Sequence, residues 1–171
     1  MRIKIWAVVG GEDAGKTSVI GGLTYRPTRR GTKIISVPLA SGGTLDVRSI
    51  KGALQELGIS PDQAINTFRA AAAKVASKPP RIVASAFNIL IALRIEPIPP
   101  RGRIPEMPAG IAYLSAFSET GWDIASIALL NSTRPDVRQT YSRFGVPLRC
   151  VAQQPDIGQK TALVRTHFGW A

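Results

Sequence analysis

The sequence predicts an α/β fold in which helices flank a mainly parallel β-sheet, and three observations support this prediction. Short apolar segments rich in β-branched residues alternate with segments of helical periodicity, an order typical of parallel sheets. A glycine-rich segment directly follows the first predicted strand and precedes a predicted helix. The chain has 171 residues, 44% of them hydrophobic and 19% charged, which suits one globular domain over residues 1–171.

The first predicted strand covers residues 3–9, which are apolar and β-branched and are followed by two glycines. The first helix is expected to begin near Gly15 and to be short, because glycines and a proline soon follow it. Residues 33–39 are predicted to form the second strand. Pro38 lacks a backbone N–H, so it places the end of that strand at an edge of the sheet or outside it.

Two helices are predicted in the middle of the chain. Residues 44–58 are expected to form the first of them, with Thr44 or Asp46 as its N-cap and a glycine at its end. Residues 60–77 are expected to form the second, with Ser60 as N-cap and a proline at the first helical position.

The second half of the chain alternates again between strands and helices. A strongly apolar strand is predicted at residues 88–95, a proline-rich loop at 97–108, and a short strand or turn at 112–117. The remaining predicted elements are a strand at 123–131, a helix at 135–144, a strand at 147–152 and a final helix at 158–167.

Residues 10–17 carry the motif on which the functional prediction depends. They read Gly-Gly-Glu-Asp-Ala-Gly-Lys-Thr and fit the pattern G-x-x-x-x-G-K-[ST] without a mismatch. Such a loop turns backbone N–H groups toward a phosphate, Lys16 adds a positive charge at the terminal phosphates, and the Thr17 hydroxyl can reach Mg²⁺. We therefore predict a site for Mg²⁺ with ATP or GTP, contacted by Gly10, Gly11, Glu12, Asp13, Ala14, Gly15, Lys16, Thr17 and Ser18.

The segment 3–24 resembles the P-loop NTPase superfamily, and its phrase Gly-Glu-Asp-Ala-Gly-Lys-Thr-Ser is similar to the loop of Arf-type small GTPases. The resemblance implies a P-loop NTPase-like fold, with Lys16 as the catalytic residue at the β- and γ-phosphates and Thr17 on magnesium. Gly11 stands where partition-type ATPases carry a signature lysine, so the loop is of the ordinary kind.

The acidic residue that P-loop NTPases place after an apolar strand is missing from the expected strand at 88–95. That strand ends around Arg94 and Glu96, which leaves Glu96 as the carboxylate that could hold the metal together with Thr17. No Asp-x-x-Gly and no Asn-Lys-x-Asp motif is present. Efficient hydrolysis is therefore doubtful, and the sequence leaves open whether the protein is a nucleoside triphosphatase.

Asn131 and Pro155 follow two consecutive predicted strands. In partition-type and related ATPases an asparagine and a proline at comparable places contact the base, so the resemblance implies this role for both residues. The alternative, which we favour, is that Asn131 caps the helix predicted at 135–144. The choice between ATP and GTP stays open.

The charge of the chain predicts a polyanionic partner. The net charge is +11 and the sequence pI is about 10.7. Within an acid-free stretch, Arg26, Arg29, Arg30 and Lys33 are the candidate contacts to nucleic acid, with a solvated loop as the alternative.

Other classes of protein are disfavoured by what the sequence lacks. The single cysteine, Cys150, has no partner for an internal disulfide, and one cysteine and one histidine, His167, far apart in sequence argue against a zinc site. No apolar run reaches the length needed to span a bilayer, and the first residues do not resemble a signal peptide, so a cytoplasmic protein is expected.

Residues 33–74 suggest a second function. A strand, a turn and a helix, followed by Leu-Gly-Ile-Ser-Pro-Asp-Gln-Ala-Ile-Asn-Thr-Phe at 57–68, resemble the ribbon-helix-helix DNA-binding unit of antitoxin-type repressors. That resemblance implies a DNA-binding regulator whose residues Lys33, Ile35 and Ser36 face the bases. A helical hairpin without DNA contacts is the alternative.

A third hypothesis is a catalytically silent P-loop adaptor, which keeps the fold and docks through its basic surface into a larger assembly. Glu12 or Asp13 filling the phosphate cradle would favour it. The sequence leaves open whether the chain forms a homo-oligomer or a larger complex.

Overall fold

The computed structural model describes residues 1–24, 33–77, 86–153 and 156–171, which form six strands and five helices. The strands are β1 (Arg2–Gly10), β2 (Lys33–Pro38), β3 (Thr44–Ala53), β4 (Ala86–Arg94), β5 (Asp123–Leu130) and β6 (Leu148–Val151). The helices are α1 (Lys16–Leu23), α2 (Pro61–Ala76), α3 (Gly110–Glu119), α4 (Pro135–Ser142) and α5 (Ile157–Phe168).

The six strands form one sheet in the order β2-β3-β4-β1-β5-β6. The β2–β3 pair is antiparallel, and every other neighbouring pair is parallel. The predicted fold class, a mainly parallel sheet flanked by helices, is confirmed. Because β1 lies between β4 and β5, the carboxyl ends of these three strands meet at one edge of the sheet.

Helices cover both faces of the sheet, as expected for parallel strands connected through helices. Alternate residues of β1 therefore enter two separate cores. Ile3, Ile5, Ala7 and Val9 pack on the side of α2, α3 and α4. Trp6 and Val8 pack on the other side, with apolar side chains of α1 and α5.

The start of α2 agrees with the prediction made from its sequence. The Ser60 hydroxyl accepts a hydrogen bond from the backbone N–H of Gln63 at 3.3 Å, and the Gln63 side chain accepts one from the N–H of Ser60 at 2.9 Å. Pro61 occupies the first helical position, where its missing N–H is not needed.

The helix predicted at 44–58, with Thr44 or Asp46 as cap, is wrong. Thr44–Ala53 is strand β3, which pairs with β2 on one side and β4 on the other. Gly42 and Gly43, with φ of 90° and 83°, make the turn that folds β3 back on β2. β3 pairs with β2, which is adjacent in sequence, and with β4, which is distant in sequence. This pairing outweighs the helical spacing of the apolar residues.

This strand also overturns the ribbon-helix-helix prediction for residues 33–74. The motif requires a helix where β3 runs. Ile35 and Ser36 lie in β2, opposite Val47 and Asp46 of β3, inside a sheet of this chain.

The short strand or turn predicted at 112–117 is also wrong, because Gly110–Glu119 is helix α3. Tyr113, Leu114 and Phe117 are buried on one side of this helix. Phe117 lies about one turn after each of the other two. The helix begins close to β4, since a Cβ on Gly110 would lie 2.4 Å from the Arg94 carbonyl oxygen.

Between β4 and α3 the chain has neither a helix nor a strand, as the proline-rich segment predicts. Two antiparallel bridges, Ile98 with Met107 and Arg101 with Ile104, nevertheless fold this loop into a short ribbon. In the described ranges, no helix has both the length and the apolar character needed to cross a membrane.

Candidate functional site

The 10–17 loop connects the end of β1 to the start of α1, at the edge where the parallel strands end. Gly10 pairs with Arg94 of β4 and with Leu130 of β5, so the loop starts between these two strand ends. A Cβ on Gly10 would lie 2.8 Å from the Ala14 Cβ and 3.2 Å from the Leu130 Cβ. The loop therefore turns back too closely for any residue other than glycine at this position.

The N-terminus of α1 has no side-chain cap. Its N-cap is Gly15, in the left-handed region at φ 81°, and its first turn contains no acidic residue. In α2 and α5, by contrast, Ser60 and Asp156 accept hydrogen bonds from first-turn N–H groups. The positive end of α1 is thus left for another acceptor, which is the property that anion-binding helices share.

Lys16 extends back over the loop that precedes it. Its side chain is only 5% exposed, and its Nζ donates a hydrogen bond to the Gly11 carbonyl oxygen at 2.5 Å. The Glu56 carboxylate lies 3.9 Å away. Burial lowers the pKa of Lys16, the charge of Glu56 opposes this effect, and the nearby charge of Arg94 lowers it further. An anion placed in the loop would oppose both effects, because a nearby negative charge raises the pKa of a lysine.

Lys160 is a site residue that the sequence reasoning missed. It lies in the first turn of α5 and is 5% exposed, and its Nζ donates a hydrogen bond to the Ala14 carbonyl oxygen at 3.2 Å. The same Nζ is 3.8 Å from the place where a Cβ on Gly15 would stand. No local motif marks this lysine, because the contact exists only once α5 packs beside α1.

Arg94 occupies the strand end where an acidic residue was expected. Its Nη2 lies 3.3 Å from the Glu12 carboxylate of the loop, and its side chain is 16% exposed. The fully buried Gln55 side chain accepts a hydrogen bond from the Arg94 N–H and donates one to the Arg94 carbonyl oxygen, both at 3.1 Å. This pair of bonds fixes the backbone that carries the guanidinium.

The two predicted metal ligands are both exposed. Thr17 lies in the first turn of α1, and Glu96 has a carboxylate oxygen 3.9 Å from the place of a Cβ on Gly11. Among the residues that the structure describes, no group of three or more His, Cys, Asp and Glu is placed to hold a metal ion. Lys16 and Arg94 both reach this loop, through the Gly11 carbonyl oxygen and the Glu12 carboxylate, so the described side chains do not form a divalent-cation site on their own.

Glu12 and Asp13 face outward from the 10–17 loop. Both are exposed, Glu12 pairs with Arg94, and Asp13 has a positive φ of 54°. The position inside the loop is taken by the Lys16 ammonium group instead. Neither carboxylate therefore fills the cradle.

Asn131 follows β5 directly, is exposed, and has a φ of 54°. Its N–H donates to the Val151 carbonyl oxygen at 2.8 Å. The N-cap of α4 is Arg134, so our favoured alternative, in which Asn131 caps that helix, is wrong. Pro155 lies outside the described residues, and the base-contacting role of both residues stays a prediction.

Three buried polar atoms near these strand ends have no hydrogen-bond partner within the described part of the chain. They are Arg94 Nε, Ser132 Oγ and Tyr141 Oη. The Tyr141 hydroxyl lies 3.1 Å from the place of a Cβ on Gly110. Burial and the charge of Glu96 raise the pKa of Tyr141, so its hydroxyl stays protonated and can donate.

A cleft of about 340 Å³ lies beside the 10–17 loop, within the size range of small-ligand sites. It is lined by Glu12, Asp13, Gln55, Glu56 and Arg94, and by Ile98, Arg101 and Ile104 of the proline-rich ribbon. Of the predicted nucleic-acid contacts, Arg26, Arg29 and Arg30 lie outside the described residues, as does the side chain of Lys33.

The chain matches no protein-family model, and the search of curated proteins finds no match. Among solved structures it is similar to a de novo designed protein with a P-loop NTPase fold, determined by solution NMR. The two share 10% identity over 98% of this chain and 90% of the designed chain, with a TM-score of 0.41. At this sequence identity and TM-score, the similarity gives no information about function.

Proposed function

We propose that the 10–17 loop binds the phosphates of a nucleoside triphosphate, ATP or GTP. The observation that carries this proposal is the buried ammonium group of Lys16, bonded to the Gly11 carbonyl inside a loop that ends at the uncapped N-terminus of α1. A lysine amine and helix N–H groups directed at one place are the groups that hold phosphate in proteins.

The bound phosphate would replace a neutral acceptor with a charged one. In the absence of ligand, Lys16 donates to a backbone carbonyl, while burial disfavours its charge. A phosphate oxygen would accept the same proton and compensate the charge as well. Hydrogen bonds between charged groups contribute roughly 1.5–3 kcal/mol, which is why Lys16 should dominate the affinity.

The site offers less support for nucleotide hydrolysis than for nucleotide binding. Phosphoryl transfer depends on positive charge at the phosphates and on a group that positions the attacking water. The end of β4 supplies a guanidinium, that of Arg94, where an acidic residue would help to hold the metal. We therefore propose a protein that binds nucleotide and hydrolyses it slowly, with Lys16 stabilising the transferred charge.

The experiment compares two lysine variants in titrations with fluorescent ATP and GTP analogues. Lys16→Ala is expected to weaken binding by about tenfold or more, because a charge-assisted hydrogen bond is lost. Lys74→Ala removes an exposed lysine from the last turn of α2 and is expected to bind like the unchanged protein. Equal affinity of all three proteins would remove the nucleotide proposal and leave the silent adaptor.

We also propose that the protein binds a nucleic acid, a hypothesis supported by the net charge of +11. Arg101 and Arg103 add two exposed positive charges to the proline-rich ribbon. The logarithm of the affinity for labelled DNA and RNA should fall linearly with the logarithm of the salt concentration. It should weaken on joint replacement of Arg26, Arg29 and Arg30 by Glu but not in Lys16→Ala. An affinity independent of salt would contradict this proposal.

A further inference from the structure

Arg94 starts from a backbone position that is fixed beside the 10–17 loop. In the parallel register of β1 and β4 it is the partner of Gly10, and the next N–H, of Ile95, donates to the Gly10 carbonyl oxygen at 3.2 Å. Gln55 holds the N–H and the carbonyl of Arg94 from the other side. The guanidinium thus extends from a rigid base toward the loop and the cleft.

The guanidinium retains unused capacity to bind an anion. Its Nε is buried and has no hydrogen-bond partner among the described residues, and its contact with Glu12 is a single one at 3.3 Å. The Glu12 side chain is 72% exposed, so solvent competes for it and a stronger anion can displace it. A phosphate could accept from Nε and Nη2 together, the paired geometry that arginine favours.

Arg94 and Lys16 act on the same small volume. The Lys16 Nζ bonds to the Gly11 carbonyl oxygen, and the Arg94 Nη2 lies 3.3 Å from the carboxylate of the next residue, Glu12, so both cations reach the same part of the loop. The exposed carboxylates of Glu56 and Glu12 lie 3.9 Å from Lys16 and 3.3 Å from Arg94, and a polyphosphate would compete with both for the two cations. The magnesium ion of ordinary P-loop sites would have to lie in this field with Thr17 and the exposed Glu96 as its predicted protein ligands.

We infer that the Arg94 guanidinium takes the place of the divalent cation, so that this site binds the phosphates of the free, metal-free nucleotide. The inference rests on the proposed nucleotide binding by the 10–17 loop. Lys16 is part of any loop of this pattern, so Arg94 adds the one positive charge that stands in for the metal ion. The ligand class is therefore a free polyphosphate rather than its magnesium complex.

The test titrates fluorescent ATP into the full chain in EDTA and, separately, in excess magnesium chloride. The unchanged protein is expected to bind more tightly in EDTA than in excess magnesium, where ATP is present as its magnesium complex, and inorganic triphosphate should compete in EDTA. Arg94→Gln should lose about tenfold in affinity in EDTA, because a charged hydrogen-bond donor is removed. Arg94→Asp, which places a carboxylate at the end of β4, should bind ATP only when magnesium is present.

The possible results distinguish a failure of the inference about Arg94 from a failure of the proposed nucleotide binding. Binding by the unchanged protein that is as tight or tighter in magnesium, or that is unaffected by Arg94→Gln, overturns the role of Arg94 and leaves nucleotide binding intact. No binding in either buffer overturns both. Circular dichroism confirms that the variants fold, and the buffer comparison on the unchanged protein needs no variant at all.

Discussion

The ammonium group of Lys160 donates a hydrogen bond to the carbonyl oxygen of Ala14 across 3.2 Å, although 146 positions separate the two residues. This bond ties α5 to the loop that precedes α1. Because both residues are buried, the bond is shielded from water, and we expect it to order the loop.

Replacing Lys160 with Met should loosen the loop while preserving the packing of the side chain. The affinity for fluorescent ATP is expected to fall by about tenfold, because a loop that is no longer ordered in the unbound protein loses conformational entropy when it binds. The free energy of unfolding should change by no more than about 1 kcal/mol, since the lost hydrogen bond is offset by the removal of a buried charge.

The matched control for this variant is Gln159→Met, an exposed position on the same helical turn. It should leave both the ATP titration and the urea unfolding curve unchanged. If Lys160→Met binds ATP like the control, the bond to Ala14 does not order the loop.

Two glycines of the first βα unit should respond in opposite directions to alanine. Gly10→Ala places a Cβ 2.8 Å from the Ala14 Cβ and is expected to destabilise the protein by about 1–3 kcal/mol. Gly21 lies inside α1, and its Cβ would meet no atom within 4 Å, so Gly21→Ala should stabilise by about 0.5–1 kcal/mol. Urea unfolding measures both, and a loss for Gly21→Ala would contradict the open space at that position.

The sequence was sufficient where one local signal was decisive. Residues 3–9 are apolar except for Lys4, as in a strand buried on both faces, and β1 is found there. Ser60 and Pro61 mark a helix start by cap chemistry that depends only on neighbouring residues, and α2 begins at Pro61. The position of the 10–17 loop between β1 and α1 follows from the same local order.

The sequence was insufficient where distant residues decide the outcome. In residues 44–58 the helical spacing of Ile50 and Leu54 competes with the alternation of Leu45 and Val47, and the pairing of β3 with two other strands decides the outcome. The roles of Arg94 and Lys160 could not be predicted either. Both depend on the tertiary approach of β4 and α5 to the loop, which no local pattern encodes.

Ser60→Ala is expected to destabilise the protein by about 1 kcal/mol, because the first-turn N–H of Gln63 loses its acceptor. Gln63→Ala removes the reciprocal bond to the N–H of Ser60 and should cost a smaller amount. Guanidinium unfolding measures both changes. Since α2 lies on the face of the sheet opposite α1, ATP affinity should stay unchanged, and a joint loss would show that α2 supports the loop.

His167 should make stability depend on pH. Its ring Nε2 lies 3.0 Å from the Ser126 hydroxyl and 2.9 Å from the Ile127 carbonyl oxygen, and burial lowers its pKa below the usual value, aided by the charge of Arg149. In the unfolded chain the ring binds a proton near its ordinary pKa of about 6.5. The stabilising contribution of the neutral ring is therefore fully present above that pH and decreases as the pH falls toward the lower folded pKa.

The measurement is the free energy of unfolding in urea from about pH 7.5 to about pH 5, for the unchanged protein and for His167→Gln. Carboxylates titrate in both proteins, so the difference between the two curves isolates the histidine. That difference should shift in favour of His167→Gln as the pH falls, because glutamine binds no proton in either state. Parallel curves across this range would mean that the folded protein protonates His167 as readily as the unfolded chain does, against the burial seen here.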